Sequence, residues 1–139
     1  MPDPEQPGRA ALADIQGAWN RAAKTWNPQA LSEIYTDDAL LFGGRPQHSI
    51  GAAAVSEYFR SYDGVIASAS LELEKQQLLQ LAPHCYVAQG YGDFSFILAG
   101  GRLTRSLLRT TLVIVRQDHW KIRQQHFSPL PAAPPLGNS

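Results

Sequence analysis

The sequence predicts a single α+β domain in which three amphipathic helices and one short strand precede four long antiparallel strands. Two observations carry this. Up to Tyr62 the apolar residues recur at three- and four-residue spacing, whereas from Ser68 to Ser128 the spacing shortens to two. A chain of 139 residues also suits one core. A sheet this long must bury one face, and the helices are the only cover available, so it should curl around them.

Residues 1–9 are rich in proline and polar side chains and are expected to be disordered; the domain proper spans 10–129. Leu12, Ile15, Trp19, Ala22, Ala23 and Trp26 form one stripe of the first helix. Asn27-Pro28 stops it and starts the next, with Asn27 as cap and Pro28 at the first position, where its missing N–H costs nothing. Leu31, Ile34 and Tyr35 give that short helix its apolar face. A strand over 39–42 follows and is broken at once by Gly43-Gly44-Arg45-Pro46. Gly51 opens a third helix, whose apolar face is Val55, Tyr58, Phe59 and Tyr62, and Asp63-Gly64 ends it. The long strands come next. The turns are Ala82-Pro83-His84, Ala99-Gly100-Gly101 and Gln117-Asp118-His119, and the proline-rich tail 130–139 ends the sheet because proline cannot donate to a ladder.

Twelve basic and twelve acidic side chains cancel without forming blocks, which argues against a nucleic-acid or anionic-membrane partner. Cys85 is the only cysteine and the four histidines are scattered, so neither a disulfide nor a structural zinc site is expected. The N-terminus lacks the basic start and apolar run of a secretory signal, and no stretch approaches bilayer length; a cytoplasmic protein is the expectation. Gly43-Gly44 and Gly100-Gly101 are turns rather than phosphate cradles, and no cofactor is expected.

Trp19, the run Ile34-Tyr35-Thr36-Asp37-Asp38-Ala39, Gly51 with Val55 and Tyr58-Phe59, and the stretch from Trp120-Lys121-Ile122 through His126-Phe127-Ser128 resemble the nuclear-transport-factor-2-like (NTF2-like, or cystatin-like) fold. Within it they are similar to bacterial SnoaL-like domains and to the association domain of calcium/calmodulin-dependent kinase II. The resemblance implies a cone with a cavity between helices and curved sheet, and a homodimer packed through the sheet's outer face. It also implies a pocket arginine where this chain has Thr111.

Strand alternation offers two faces per strand. In the last strand Trp120, Ile122, Gln124, His126 and Ser128 read as the pocket wall. The resemblance favours Arg109 and Thr111 facing inward in the strand before it. Gly90 and Gly92 suit close approach of another sheet, which turns Gln89, Tyr91 and Asp93 inward. The expected site is therefore Asp93, Arg109 and His126, with Tyr91, Thr111 and Gln124 beside them and Trp19, Trp26, Tyr35, Phe42 and Phe59 as apolar walls. Leu108, Leu112 and Ile114 are left for the dimer contact.

Such a site binds a small, partly apolar organic molecule, the leading expectation. Alternatively, Asp93 orients His126 for proton transfer and Arg109 steadies developing charge, as in a cofactor-free dehydratase, isomerase or cyclase. The same residues also fit a buried Asp93–Arg109 ion pair with a structural histidine. A third reading is a purely structural oligomerisation module. Asp37-Asp38, at the turn into the first strand, lies where a base could sit, but paired acids at such a turn are usually solvated, and that is the expectation.

Overall fold

The computed structural model describes residues 6–138, so five of the nine residues of the expected disordered segment lie outside the described residues. Helix α1 runs Gln6–Ala23, starting four residues before the apolar stripe suggests. Pro7 is tolerated in its first turn, and Gly8 lies against Tyr86 and Leu78. Its end is unusual. Trp26 N–H donates to Ala23 O at 3.0 Å and Asn27 N–H to Ala22 O at 2.9 Å, a Schellman-type closure with Trp26 at φ 44 where glycine is the usual occupant. The Trp26 indole holds this backbone in place by donating to Phe59 O at 3.2 Å.

Helix α2, Pro28–Ser32, is capped as the sequence suggests: the Asn27 side chain accepts from Ala30 N at 3.1 Å. Strand β1, Tyr35–Phe42, starts four residues earlier than expected, and a two-residue strand β2, Ser49–Ile50, pairs with it where the sequence suggests only loop. Helix α3 spans Ala52–Arg60. The long strands are β3 (Ile66–Ala82), β4 (Cys85–Leu98), β5 (Leu103–Arg116) and β6 (Trp120–Pro129). They form one sheet in the order β2-β1-β6-β5-β4-β3. The meander is antiparallel, as predicted; the β1–β6 pair is parallel, which a local pattern cannot show. The result is the expected NTF2-like cone. Residues 130–138 are without regular structure, and no described helix is long and apolar enough to cross a membrane.

Two bulges set the phase of the sheet. In β3, Lys75 and Gln76 together oppose Gly90, with Lys75 at φ 52, so Leu71 and Leu73 point inward before the bulge and Gln76 and Leu78 after it. In β6, Ile114 pairs with Ile122 but Val113 with Gln124, which makes Arg123 the extra residue. Trp120 and Ile122 therefore face the core as alternation predicts, and Gln125 and Phe127 replace Gln124 and His126 there.

Helix α1 also closes the sheet's far edge. Strand β3 is outermost, and α1 side chains bond its free backbone: Gln16 Oε1 accepts from Leu73 N at 2.8 Å, and Asn20 engages Leu71. The core between helices and sheet is largely aromatic, with Trp19, Trp26, Phe59, Phe94 and Phe127 joined by edge contacts of 5.4–6.4 Å.

Candidate functional site

The inward face of the sheet is the opposite of the expected one. On β4, Tyr86, Ala88 and Phe94 are buried, and Gln89, Tyr91 and Asp93 turn outward. The reason is steric. Gly90 does face inward, but to admit the β3 bulge: a Cβ there would lie 2.7 Å from Glu74 O and Lys75 O. On β5, Thr110, Leu112 and Ile114 are buried, Leu108 packs against the core, and Arg109 and Thr111 turn outward. The Arg123 bulge carries Gln124 and His126 to the same outer face.

Four of the five expected walls, Trp19, Trp26, Tyr35 and Phe59, reach the interior. Phe42 instead lies outside, stacked on His48 at 4.2 Å with His126 at 5.2 Å. The interior's polar groups are ones that alternation misses. The Tyr35 hydroxyl donates to Gln125 Oε1. Burial above all, with Tyr58 nearby, pushes the Tyr35 pKa well above the ordinary tyrosine value, so the hydroxyl stays a neutral donor. Gln76 reaches over Gly90 to donate to Thr110 Oγ1 and Tyr91 O, both at 3.1 Å, while its own Oε1 has no partner. Among the described residues, the fully buried polar set contains no carboxylate, imidazole or cation.

At the cone's mouth the 43–48 loop is latched onto α3. Gly44 N–H donates to the Tyr58 hydroxyl at 2.8 Å, and the Arg45 guanidinium lies 4.3 Å over the Tyr62 ring while donating to Ser61 O at 3.0 Å. Burial first, then the Tyr62 hydrogen bond, raises the Tyr58 pKa. Asp37 and Asp38 are exposed as expected, but within strand β1 rather than in a turn; Asp38 accepts from Thr36 at 2.8 Å and from Arg123 at 2.9 Å.

Most of the predicted polar set nevertheless meets, on the outer face. Two neighbouring rungs of the sheet, Tyr91–Arg109–Ser128 and Gln89–Thr111–His126, line a depression of about 630 Å³ bordered by Lys75. Gln89 Nε2 donates to Thr111 Oγ1 at 3.1 Å. Asp93 and Gln124 fall outside it. Asp93 is bound by the Arg105 guanidinium, and its β5 partner, Leu107, is four residues from Thr111, the partner of His126. At about 3.3 Å per residue that is roughly 13 Å, beyond hydrogen-bond reach. Among the described residues, no group of three or more His, Cys, Asp or Glu side chains is placed to hold a metal.

The chain matches the model of the SnoaL-like domain over residues 12–133. Among solved structures it is similar to a proposed calcium/calmodulin-dependent protein kinase II association domain from Xanthomonas campestris, at 23% identity and TM-score 0.79 over 94% of this chain and 91% of that one. It is also similar to an NTF2-like superfamily protein from Salmonella enterica, at 14% identity and TM-score 0.70 over 94% and 99%. A proposed scytalone dehydratase from Novosphingobium aromaticivorans matches at 13% identity and TM-score 0.75 over 100% and 99%. Comparison with curated proteins yields no match. At these identities the structural likenesses speak for the fold alone.

Proposed function

The chain belongs to the SnoaL-like family, and from that premise we propose that it works as a cytoplasmic homodimer, paired through the outer face of its sheet, that holds a small organic molecule. The observation carrying this reading is a set of exposed aliphatic side chains on a face that the helices leave uncovered. Leu103, Ile97 and Leu107 lie towards one end of it at 75%, 42% and 49% exposure, and Leu79 lies towards the other at 68%. Large aliphatic side chains this exposed on one sheet face suit cover by a partner surface.

The area is sufficient. Strands β4 and β5 are 14 residues long, and four strands of comparable length at about 3.3 Å rise and 4.8 Å spacing present on the order of 700 Å². A stable interface buries about 600–1,000 Å² per partner. A second copy, meeting the face through a two-fold axis, is the natural occupant.

Catalysis by an Asp93–His126 pair has less support, because Asp93 is engaged by Arg105 and the interior supplies no acid or base in its place. In this reading Trp19, Trp26, Tyr35 and Phe59 serve as core.

Light scattering tests the pairing: the expected mass is twice 15.3 kDa, falling to one chain when Leu107 and Leu79 are both changed to Glu. A wild-type monomer at tens of micromolar overturns it.

A further inference from the structure

The depression on the outer face is lined by two cations and, among the described residues, by no carboxylate. Arg109 stands at the middle of β5 with Tyr91 and Ser128 as its rung neighbours, and Lys75 borders the same hollow. Neither the Arg109 guanidinium nor the Lys75 ammonium has a hydrogen-bond or ion-pair partner among the described residues. Of the acids on this face, Asp93 is bound by Arg105, while Glu74 shares the rung of Tyr91 and Arg109, with Tyr91 between them, and makes no hydrogen bond or ion pair to either cation. Arg105 thus holds the Asp93 carboxylate, and the Arg109 donors stay unused.

The other lining groups define what fits. Thr111, Ser128 and the His126 ring offer hydrogen bonds around Arg109, and the partly exposed Tyr91 ring offers a flat apolar surface. A hollow of about 630 Å³ has the size of a small-molecule site. A guanidinium with free donors is matched by a planar carboxylate, which it grips with two parallel bonds, and an aromatic face is matched by a ring.

We infer that this depression binds a small aromatic carboxylate, with the carboxylate on Arg109 and the ring against Tyr91. This names the molecule-holding part of the proposed function and does not depend on the pairing. The two are nonetheless coupled. The hollow occupies the centre of the face, where a two-fold brings a patch towards its own copy, so empty sites set cation against cation and occupied sites do not. Binding therefore tightens the dimer.

The test is calorimetric titration of the full chain with benzoate, and separately with acetate and inorganic phosphate, followed by sedimentation of the same samples. The expected result is one benzoate per chain, weakened roughly tenfold or more in Arg109→Gln and unchanged in Arg116→Gln, which lies in a separate groove by α1. Acetate binds more weakly than benzoate, and Tyr91→Leu removes that difference. Absence of saturable benzoate binding, or binding undiminished in Arg109→Gln, overturns the site. Phosphate binding as tight as benzoate overturns the aromatic class. Benzoate binding by a persistent monomer sinks the pairing and leaves the site standing; a dimer that ignores benzoate does the reverse. All three variants alter exposed side chains, and unchanged melting curves confirm that they fold.

Discussion

Asn20 stands in for a neighbouring strand at Leu71: its side-chain amide donates to Leu71 O at 2.9 Å, and its Oδ1 accepts from Leu71 N at 2.7 Å. One helical side chain thereby satisfies both backbone groups of a residue on the sheet's outermost strand.

Asn20→Ala should cost about 1–3 kcal/mol, the range for leaving partly buried polar groups without partners. Chemical denaturation reads the loss, and hydrogen exchange should show faster exchange at the Leu71 amide. An unchanged Leu71 amide would mean that the edge is protected in some other way.

Tyr35→Phe should also cost about 1–3 kcal/mol, because it orphans the buried Gln125 oxygen. Adding Gln125→Leu removes both partners and should recover part of the loss. A double-mutant cycle on melting temperature or denaturant midpoint measures this, and strict additivity would show that the pair does not act as a unit.

Gly90→Ala should destabilise by about 1–3 kcal/mol or more, since the new methyl group meets two backbone oxygens that cannot move aside as a flexible side chain would. Lys75→Gly, by contrast, should stabilise by roughly 0.5–1 kcal/mol by relieving the left-handed backbone of the same bulge. Equal effects of the two changes would argue against the bulge geometry.

Asp38 titrates below the ordinary aspartate value, chiefly through its hydrogen bond from Thr36 and less through Arg123. A carboxyl with a depressed folded-state pKa contributes stability above its unfolded value of about 3.9, and that contribution is lost as pH falls through the folded value. Stability should therefore fall less on acidification below about pH 4 in Asp38→Asn than in the wild type. In an NMR titration Thr36→Val should raise the Asp38 pKa more than Arg123→Gln does; the reverse order would assign the main cause to the ion pair.

The sequence makes the three helices, the capping of α2 by Asn27 and the antiparallel meander legible, because each rests on local chemistry. The face of the sheet is another matter. Alternation holds along β6 through Ile122, and Arg123 then adds one residue that no local pattern marks, reversing everything after it. The same happens at Lys75 in β3. On β5 a usable signal exists: Leu108, Leu112 and Ile114 are the more apolar set, which by hydrophobicity alone belongs to the core, and the resemblance-based placement of Thr111 outweighs it. The rung geometry explains why Tyr91, Arg109, Thr111 and His126 still come together, since inverting β4, β5 and the end of β6 together keeps the members of a face in company.

The parallel pairing of β1 with β6 has a consequence for how the protein is made. Ile122 N–H donates to Ile34 O at 2.8 Å, and Tyr35 finds Gln125 across the same seam, so β1 waits for a strand that follows the whole meander from β3 to β5. During synthesis β1 emerges early and remains without its parallel partner until residues 120–129 clear the ribosome. A chain halted before that point presents β5 as a bare edge and leaves its aromatic core half assembled, the state most exposed to aggregation. Completion of the sheet thus waits for residues 120–129, and closing that long loop is slow compared with forming the helices.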